Sequence, residues 1–328
     1  MKRKTICALS AALTLTMLGG TAVYAASENA ARVGSLKGPT SMGLVHFMDE
    51  AKNETDADDE QFSFEMVTAA DELTAGFVGG DYDIVLVPAN MASILYQKTK
   101  GNVQVLDINT LGVLYAVTAD ESVSGIADLK GKTVYSTGKG QTPEYVINYL
   151  LAENGLTEED VTVEYKSEAA EVVATLANDP SAIGILPQPF ATVACKQNES
   201  LKEAFDLNEA WDAAGKGTLV TGVTIAKKDY IEANPEIIEE FMDEHEDSIE
   251  FANEHTEDAA ALVAETGIVE KAPIAQAALP KCNLRYIEGE QMQTALSGYL
   301  EVLFEQNPES VGGALPENDF YYIEADED

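Results

Sequence analysis

The chain is poor in positive charge, histidine, cysteine and tryptophan. Its 328 residues include 20 lysines and arginines against 57 aspartates and glutamates, which gives a formal net charge of −37. A surface of this sign repels phosphate backbones and anionic lipid, so nucleic acid is excluded as a partner. With three histidines and three cysteines, and no H-E-x-x-H or EF-hand spacing, the sequence predicts neither a metal site nor a cofactor.

Long hydrophobic runs are confined to the N terminus. Lysines and an arginine precede an apolar run at residues 6–18, and two glycines follow it. This order is typical of a secretory signal peptide, and Val23 and Ala25 are the small residues expected before a cut at Ala26. The run is too short to span a bilayer. We therefore expect removal of residues 1–25 and export to a periplasm or a cell surface.

The cysteines give little support for an anchor or a cross-link. Cys7 precedes the apolar run, whereas a lipid-modified cysteine would follow it, so we expect no lipid anchor. Cys195 and Cys282 remain in the mature chain, and they could form a disulfide only if the fold brings them together. Two unpaired, buried thiols are the plainer interpretation.

The composition and patterning predict an α/β fold. A hydrophobic content of 45% is enough for a large core, and at this length two lobes are expected. Short β-branched runs alternate with helical patterns, as in mostly parallel sheets covered by helices. The expected strands are 32–35, 62–67, 82–87, 133–136, 161–165, 182–186 and 218–226, with 103–119 rich in strand. The expected helices are 41–52, 68–78, 91–98 capped by Asn90, 143–154, 168–177, 190–196, 235–255 and 288–306.

The order of these segments suggests that one lobe is inserted into the other. The α/β pattern restarts at the turn of residues 128–132, and the strand at 218–226 would return the chain to the first lobe. We predict lobe 1 as residues 32–116 plus 224–328, with lobe 2, residues 117–223, inserted. The two connections between the lobes would act as a hinge.

Five segments together carry a family resemblance. They are GSLKGPTSMGLVHFMDEA after the first strand, the turn at 128–132, STGKGQTPEYVINYLLAENGL, AIGILPQPFAT, and the helix start at 234–236. In this order, behind a signal sequence, the chain resembles solute-binding proteins of bacterial ABC importers, in the sulfonate, nitrate and thiamine-pyrimidine (NMT1/THI5-like, SsuA-like) group. The resemblance implies a two-lobed type 2 periplasmic-binding fold, with each lobe a mixed, mostly parallel sheet flanked by helices. It also implies ligand capture between the lobes and delivery to a membrane permease.

The strand ends of such sheets predict where a ligand binds. In open α/β sheets, binding crevices form at the carboxyl ends of strands, where the N–H groups of the following helices converge. Four turns meet this description, at residues 35–41, 88–93, 136–142 and 187–190. The candidate ligand-binding residues are Ser35, Lys37, Gly38, Thr40, Ser41, Pro88, Asn90, Thr137, Gly138, Lys139, Thr142, Gln188, Phe190 and Thr221.

Two of these turns also have a plainer interpretation. The glycine-rich loop at 136–142 would let backbone amides approach an anion or another polar group, but it could be an ordinary strand-to-helix turn. In the first lobe, Thr40 or Ser41 could simply cap a helix.

Only Arg32 and Arg285 remain after residue 25. Because arginine is the usual two-point donor to a sulfonate, this small number weakens a strict sulfonate assignment.

Aromatic residues near the predicted crevice suggest a flat ligand. Tyr145, Phe190 and Trp211 could stack on a heterocycle, although core packing is the commoner role for such side chains. The sequence therefore leaves the ligand open among sulfonate, nitrate and pyrimidine or other heterocycle classes.

The leading hypothesis is a monomeric, non-catalytic receptor whose closed form is recognised by a permease. An exported enzyme of the same fold is the alternative, since fold does not fix function. The signal sequence and the lack of a cysteine-rich cluster around Cys195 or Cys282 oppose it. A third possibility is a ligand-sensing partner of a membrane receptor, which the sequence does not separate from transport.

Overall fold

The computed structural model describes residues 30–53, 61–157, 159–215 and 217–323. The predicted signal peptide and its cleavage point before Ala26 lie outside these residues. Within the described ranges, no helix has both the length and the hydropathy needed to cross a membrane.

The chain alternates strands and helices. The strands are β1 (Ala31–Leu36), β2 (Phe62–Val67), β3 (Ile84–Pro88), β4 (Gln104–Leu111), β5 (Leu114–Thr118), β6 (Thr133–Thr137), β7 (Thr162–Lys166), β8 (Ile183–Pro187), β9 (Lys202–Asp206), β10 (Val220–Ala226) and β11 (Leu284–Ile287). The helices are α1 (Pro39–Met42), α2 (Val45–Asn53), α3 (Ala70–Gly79), α4 (Ala89–Lys98), α5 (Thr142–Glu153), α6 (Ala169–Asn178), α7 (Phe190–Gln197), α8 (Leu207–Ala214), α9 (Lys228–Ala233), α10 (Pro235–Glu254), α11 (Thr256–Glu265), α12 (Ala272–Ala278) and α13 (Gly289–Gln306).

The strands form two mixed sheets, each flanked by helices. The six-stranded sheet has the order β11-β4-β10-β3-β1-β2 and, with its helices, is called lobe A. The five-stranded sheet has the order β7-β6-β8-β5-β9 and, with its helices, is called lobe B. In each sheet three neighbouring strands run parallel, β2-β1-β3 and β7-β6-β8. A fourth strand pairs antiparallel with each group. In lobe A β10 pairs with β3, and in lobe B β5 pairs with β8. Both β10 and β5 adjoin a point where the chain crosses between the sheets.

The chain crosses twice between the sheets. Residues 112–113 join β4 to β5, and the second crossing runs from α8 to β10. The predicted lobe boundaries at 116/117 and 223/224 therefore fall inside β5 and β10, since each strand pairs along its length with one sheet. The division into an inserted and a split lobe stays a prediction.

Buried apolar strands explain why helices cover both faces of each sheet. β3 is fully buried over residues 84–87, as parallel strands covered on both faces are. On one side of lobe A, Phe47, Phe62 and Phe241 pack ring against ring, with centroids 5.1–6.0 Å apart. On the other side, α13 contacts both α4 of lobe A and α5 of lobe B.

Several local expectations needed correction. The helix expected at 41–52 is two helices, because the chain turns at Gly43, where a Cβ would lie 2.9 Å from Ile249 of α10. Helix α4 begins at Ala89, so Asn90 lies within its first turn and is not its cap. Strand β9, helix α8 and strand β11 have no counterpart among the expected elements.

Candidate functional site

The four predicted turns lie at carboxyl ends of neighbouring strands in the two sheets. β1 and β3 of lobe A lead into α1 and α4, and β6 and β8 of lobe B lead into α5 and α7. A direct contact joins the two sets, because Thr142 Oγ1 lies 3.4 Å from Asn90 Oδ1. We call the space between these strand ends the crevice.

The β1 turn uses its hydroxyl groups internally. Ser41 Oγ lies 2.5 Å from the carbonyl oxygen of Leu36 and 2.7 Å from Ser35 Oγ. A hydroxyl has one proton, so Ser41 donates to the carbonyl and Ser35 donates to Ser41. Thr40 also donates to Leu36, at 3.3 Å, and no side chain caps α1. Ser35, Thr40 and Ser41 are all buried, so they shape the turn.

Lys37 and Gly38 lie between this strand and α1. Lys37 is exposed, and its Nζ is 3.9 Å from the position that a Cβ on Gly267 would take. The ammonium group is thus directed toward the turn after α11 in its own lobe. Gly38 has free space around its Cα hydrogens, since an added Cβ would meet nothing within 4 Å.

The β3 turn fixes Asn90 between the lobes. Pro88 is the residue before α4, and Asn90 is buried one residue into the helix. Asn90 Nδ2 donates to the carbonyl oxygen of Ser310 at 3.2 Å, which leaves Oδ1 to accept from Thr142. The amide of Asn90 is therefore oriented from lobe A toward lobe B.

The β6 loop contains a carboxylate of its own. Gly138 and Gly140 have φ angles of 71° and 76°, which glycine adopts without strain. The backbone N–H of Gly140 donates to the Glu144 carboxylate from the first turn of α5. Thr137 is half-buried and Lys139 is exposed. A ligand anion would have to displace the Glu144 carboxylate from the Gly140 amide, so the loop is better suited to an uncharged polar group.

The β8 turn separates two candidates that the sequence treats alike. Gln188 is fully buried, and its Oε1 accepts from Thr192 Oγ1 at 2.8 Å while its Nε2 donates to Glu203 at 3.0 Å. Its backbone N–H donates to the Val113 carbonyl. Phe190 is 37% exposed. Phe190 is thus available to a ligand, whereas the side chain of Gln188 is committed to the protein.

Two other aromatic candidates are core residues. Trp211 is fully buried, with its ring centroid 4.3 Å from Tyr149 and 5.7 Å from Tyr299. Tyr145 is buried, and its hydroxyl donates to the Gly140 carbonyl at 3.3 Å. Because Tyr299 belongs to α13 and Trp211 to α8, this cluster joins lobe A to lobe B.

The sequence prediction missed Tyr299 beside the crevice. Its side chain is fully buried, and burial raises the pKa of its phenol, while the nearby Thr142 hydroxyl offsets part of that rise. The phenol therefore lies close to Thr142 at the start of α5. Nothing in the periodicity of α13 distinguishes Tyr299 from a core residue.

The sequence prediction also missed a buried polar network beside strand β10. Thr221 is half-buried, and next to it a Cβ on Gly222 would lie 2.5 Å from both Asn109 Oδ1 and Thr40 Cγ2. Asn109 Nδ2 donates to Thr224 Oγ1 at 3.1 Å, and Thr224 donates to Asp107 at 2.9 Å. The polar residues of the segment DINT, inside an otherwise apolar strand, are the signal that could have found it.

His245 completes this network from α10. Its Nδ1 lies 3.2 Å from Asp107 Oδ2, and both side chains are fully buried. The network therefore lies in the interior of lobe A, with Asn109 close to Gly222 of β10.

The arginines and two surface depressions lie away from the four turns. Arg32, near the amino end of β1, forms a two-point ion pair with Asp83 at 2.7 and 2.9 Å, and Arg285 donates to the Leu284 carbonyl. Two depressions of about 400 and 360 Å³ lie along α2 and α10. Their acidic linings include none of the residues of the four turns.

Cys195 and Cys282 are free thiols in this structure, and Cys195 is half-buried, not buried as expected. Cys282 is fully buried, with its sulfur 3.5 Å from that of Met42. Burial raises the pKa of the Cys282 thiol to about 12.

Several solved structures have the same fold as this chain over most of its length. An ABC transporter structure from Parabacteroides distasonis is 22% identical, with a TM-score of 0.77 over 92% of this chain and 100% of that one. The periplasmic aliphatic sulphonate binding protein SsuA from Escherichia coli is 17% identical, with a TM-score of 0.72 over 91% and 94%. The periplasmic nitrate-binding protein NrtA from Synechocystis PCC 6803 is 13% identical, with a TM-score of 0.62 over 85% and 82%.

SsuA and NrtA are periplasmic binding proteins. At such identities all three structures show the fold alone, which is the predicted two-lobed α/β fold. No curated protein sequence matches the chain. The family described as NMT1/THI5 like matches residues 92–259, just over half of the chain, from α4 of lobe A through lobe B to α11. The chain therefore belongs to the NMT1/THI5-like family.

Proposed function

We propose that the protein is the exported solute-binding component of an ABC importer, which captures a small ligand in the crevice and delivers it to a membrane permease. The contact between Asn90 and Thr142 carries the proposal, since it brings the strand end of one lobe against that of the other. A ligand bound there would touch both lobes and stabilise their closed arrangement. The protein would act without catalysis and as a monomer.

The residues at the crevice favour an uncharged ligand within the broader sulfonate, nitrate and heterocycle set. Glu144 already accepts the N–H of Gly140, and Arg32 is paired with Asp83 near the amino end of β1. The exposed ring of Phe190 and the half-buried hydroxyl of Thr137 provide a stacking surface and a hydrogen-bonding group. We therefore propose a small, flat, polar heterocycle, such as a pyrimidine.

The groups that we propose to contact this ligand are those exposed or half-buried at the turns. In lobe A they are Gly38, Pro88 and Thr221, while the buried amide of Asn90 would hold Thr142 in place beside them. In lobe B they include Thr137, Gly138, Lys139, Thr142 and Phe190. Ser35, Thr40 and Ser41 would support the β1 turn from behind, and Lys37 would lie at its outer side.

The experiment is a thermal-shift and Trp211 fluorescence titration against uracil, cytosine, nitrate and ethanesulfonate. A ligand that binds only the folded state raises Tm in a saturable way. We expect a pyrimidine to do so, and we expect Thr137→Trp, which fills the crevice, to abolish the shift. Saturable stabilisation by nitrate or ethanesulfonate instead would refute the charge argument. Chemical conversion of the bound compound would refute the proposal that the protein is a non-catalytic receptor.

Glu144→Gln tests the charge argument directly. The amide side chain keeps the size of the carboxylate and removes its charge. We expect affinity for ethanesulfonate to rise in this variant while affinity for the pyrimidine stays the same. Glu171→Gln is the matched control, because Glu171 also accepts backbone N–H groups at a helix start, at Ser167 and Glu168, but on α6.

A further inference from the structure

A chain of charged and polar side chains crosses between the lobes beside the β8 turn. Lys281, in the 3-10 turn Leu279–Lys281 of lobe A, forms an ion pair with Oε2 of Glu203 on β9. The other carboxylate oxygen of Glu203 accepts from Gln188 Nε2 at 3.0 Å. Gln188 in turn accepts from the hydroxyl and the backbone N–H of Thr192 on α7. Glu203 thus connects a cation of lobe A to the turn that ends in α7.

The surroundings of this pair favour a strong interaction. The Glu203 side chain is 17% exposed and that of Lys281 is 42% exposed, so the carboxylate is partly shielded from solvent while its partner reaches in from the surface. Charges attract each other more strongly at such a partly shielded site than in open water. Glu203 would lose its cation if the lobes moved apart.

Main-chain contacts hold Lys281 in the same place. The hydroxyl of Tyr115 on β5 donates to the Lys281 carbonyl oxygen at 3.1 Å. Helix α12, just before Lys281, packs on α7 of lobe B. The ion pair is therefore part of a contact surface between the lobes, on the side that carries Phe190.

We propose that Lys281 and Glu203 are positioning residues that couple closure of the lobes to the β8 turn. The ion pair stabilises the closed arrangement, and Glu203 then fixes Gln188, which holds the turn that presents Phe190. The consequence for ligand binding rests on the proposed function, whereas the coupling of the lobes is a property of the free protein.

Cys195 on α7 is a natural probe of this coupling. Its thiol is half-buried, and burial raises its pKa. Glu203 raises that pKa further, while Lys281 lowers it. Removing Lys281 without moving the lobes would therefore slow thiol labelling, because less thiolate forms. If removing Lys281 opens the lobes, labelling becomes faster, because the thiol is then more exposed.

The experiment measures labelling of Cys195 by a thiol reagent in the full chain carrying Cys7→Ser, with no ligand present. The test variant is Lys281→Met. The control is Lys132→Met, whose partner Asp120, at 2.7 Å, belongs to the same lobe and is similarly exposed. We expect labelling to become about fivefold faster in Lys281→Met, at the lower end of coupling between distant sites, and to stay unchanged in the control.

Small-angle scattering provides the second measurement. We expect a larger radius of gyration in Lys281→Met and in Glu203→Gln than in the parent. Labelling that is unchanged or slower in Lys281→Met, with an unchanged radius of gyration in both variants, would overturn the proposal. Lys281→Gln gives the same test if Lys281→Met does not fold. Since no ligand is used, failure of the ligand screen and failure of this coupling are separate results.

Discussion

A single methyl group at Gly222 on β10 tests the packing beneath the crevice. In Gly222→Ala, the new Cβ would lie 2.5 Å from Asn109 Oδ1, 2.5 Å from Thr40 Cγ2 and 3.2 Å from Thr110 Cβ. The two closest contacts come from different elements. Asn109 cannot retreat freely, because Thr110 donates to its Oδ1 at 2.9 Å and its Nδ2 donates to Thr224.

The expected cost follows from these distances. Inserting a methyl group into a fully packed site costs ~1–3 kcal/mol, because side chains or backbone must shift. For a chain of this size, each kcal/mol corresponds to about 2 °C in Tm. We therefore expect Gly222→Ala to lower Tm by about 2–6 °C.

Thermal and urea unfolding of Gly222→Ala and of a matched control would measure this cost. Gly298→Ala, on helix α13, is the control, because an added Cβ there meets nothing within 4 Å. Alanine favours helix over glycine, so this variant should gain about 0.5–1 kcal/mol. The same chemical change is thus expected to have opposite signs at two sites.

A second substitution identifies which neighbour causes the cost. Thr40→Ser removes the Cγ2 atom that Gly222→Ala would meet, while the contact with Asn109 stays. The double variant should therefore recover part of the lost stability. If Gly222→Ala is as stable as the parent, the close packing of β10 against the β1 turn is refuted.

Three further changes test other parts of the structure by equilibrium unfolding. Asp107→Leu leaves His245 Nδ1 without its buried hydrogen-bond partner and should cost roughly 1–3 kcal/mol, and Asp107→Leu with His245→Leu should cost less; an equal or larger cost would contradict the pairing. Burial raises the pKa of Asp206 above 3.8, so the folded state holds its proton more tightly. This group's contribution to the free energy of unfolding is full below pH 3.8 and is lost as pH rises from there through the raised pKa. Asp206→Asn should remove that part of the pH dependence, and an unchanged slope would argue against it. Arg32→Lys replaces a two-point contact with Asp83 by a single one and should cost at most about 1 kcal/mol, since the arginine is largely exposed; a larger loss would show that the pair supports β1.

Strong local patterns predicted most elements of the fold. β3 was found because its buried run is continuous and ends at Pro88, and α10 because Pro235 fits the first turn of a helix. β9 was missed because its residues KEAFD alternate polar and apolar side chains only weakly. Backbone pairing with β5 in the folded sheet makes this segment a strand, although its own sequence pattern does not predict one.

The sequence predicted the positions of the four turns better than the contacts of their side chains. Chain order alone puts the ends of β1, β3, β6 and β8 at sheet edges that can bind a ligand. The sequence did not predict that Gln188 would be satisfied by Glu203 and Thr192. These contacts depend on the register between β5 and its neighbours β8 and β9.

The sequence by itself determined the α/β class, the order of strands and helices, and the four turns, because these follow from local periodicity and from proline and glycine positions. Tertiary structure decided which groups at those turns remain available to a ligand. Glu144 accepts the loop amide, Lys37 extends toward Gly267, and Lys281 meets Glu203 from the other lobe. For Lys281 the partner is distant in the chain, and only the packing of the lobes sets the distance and the burial that give such a contact its strength.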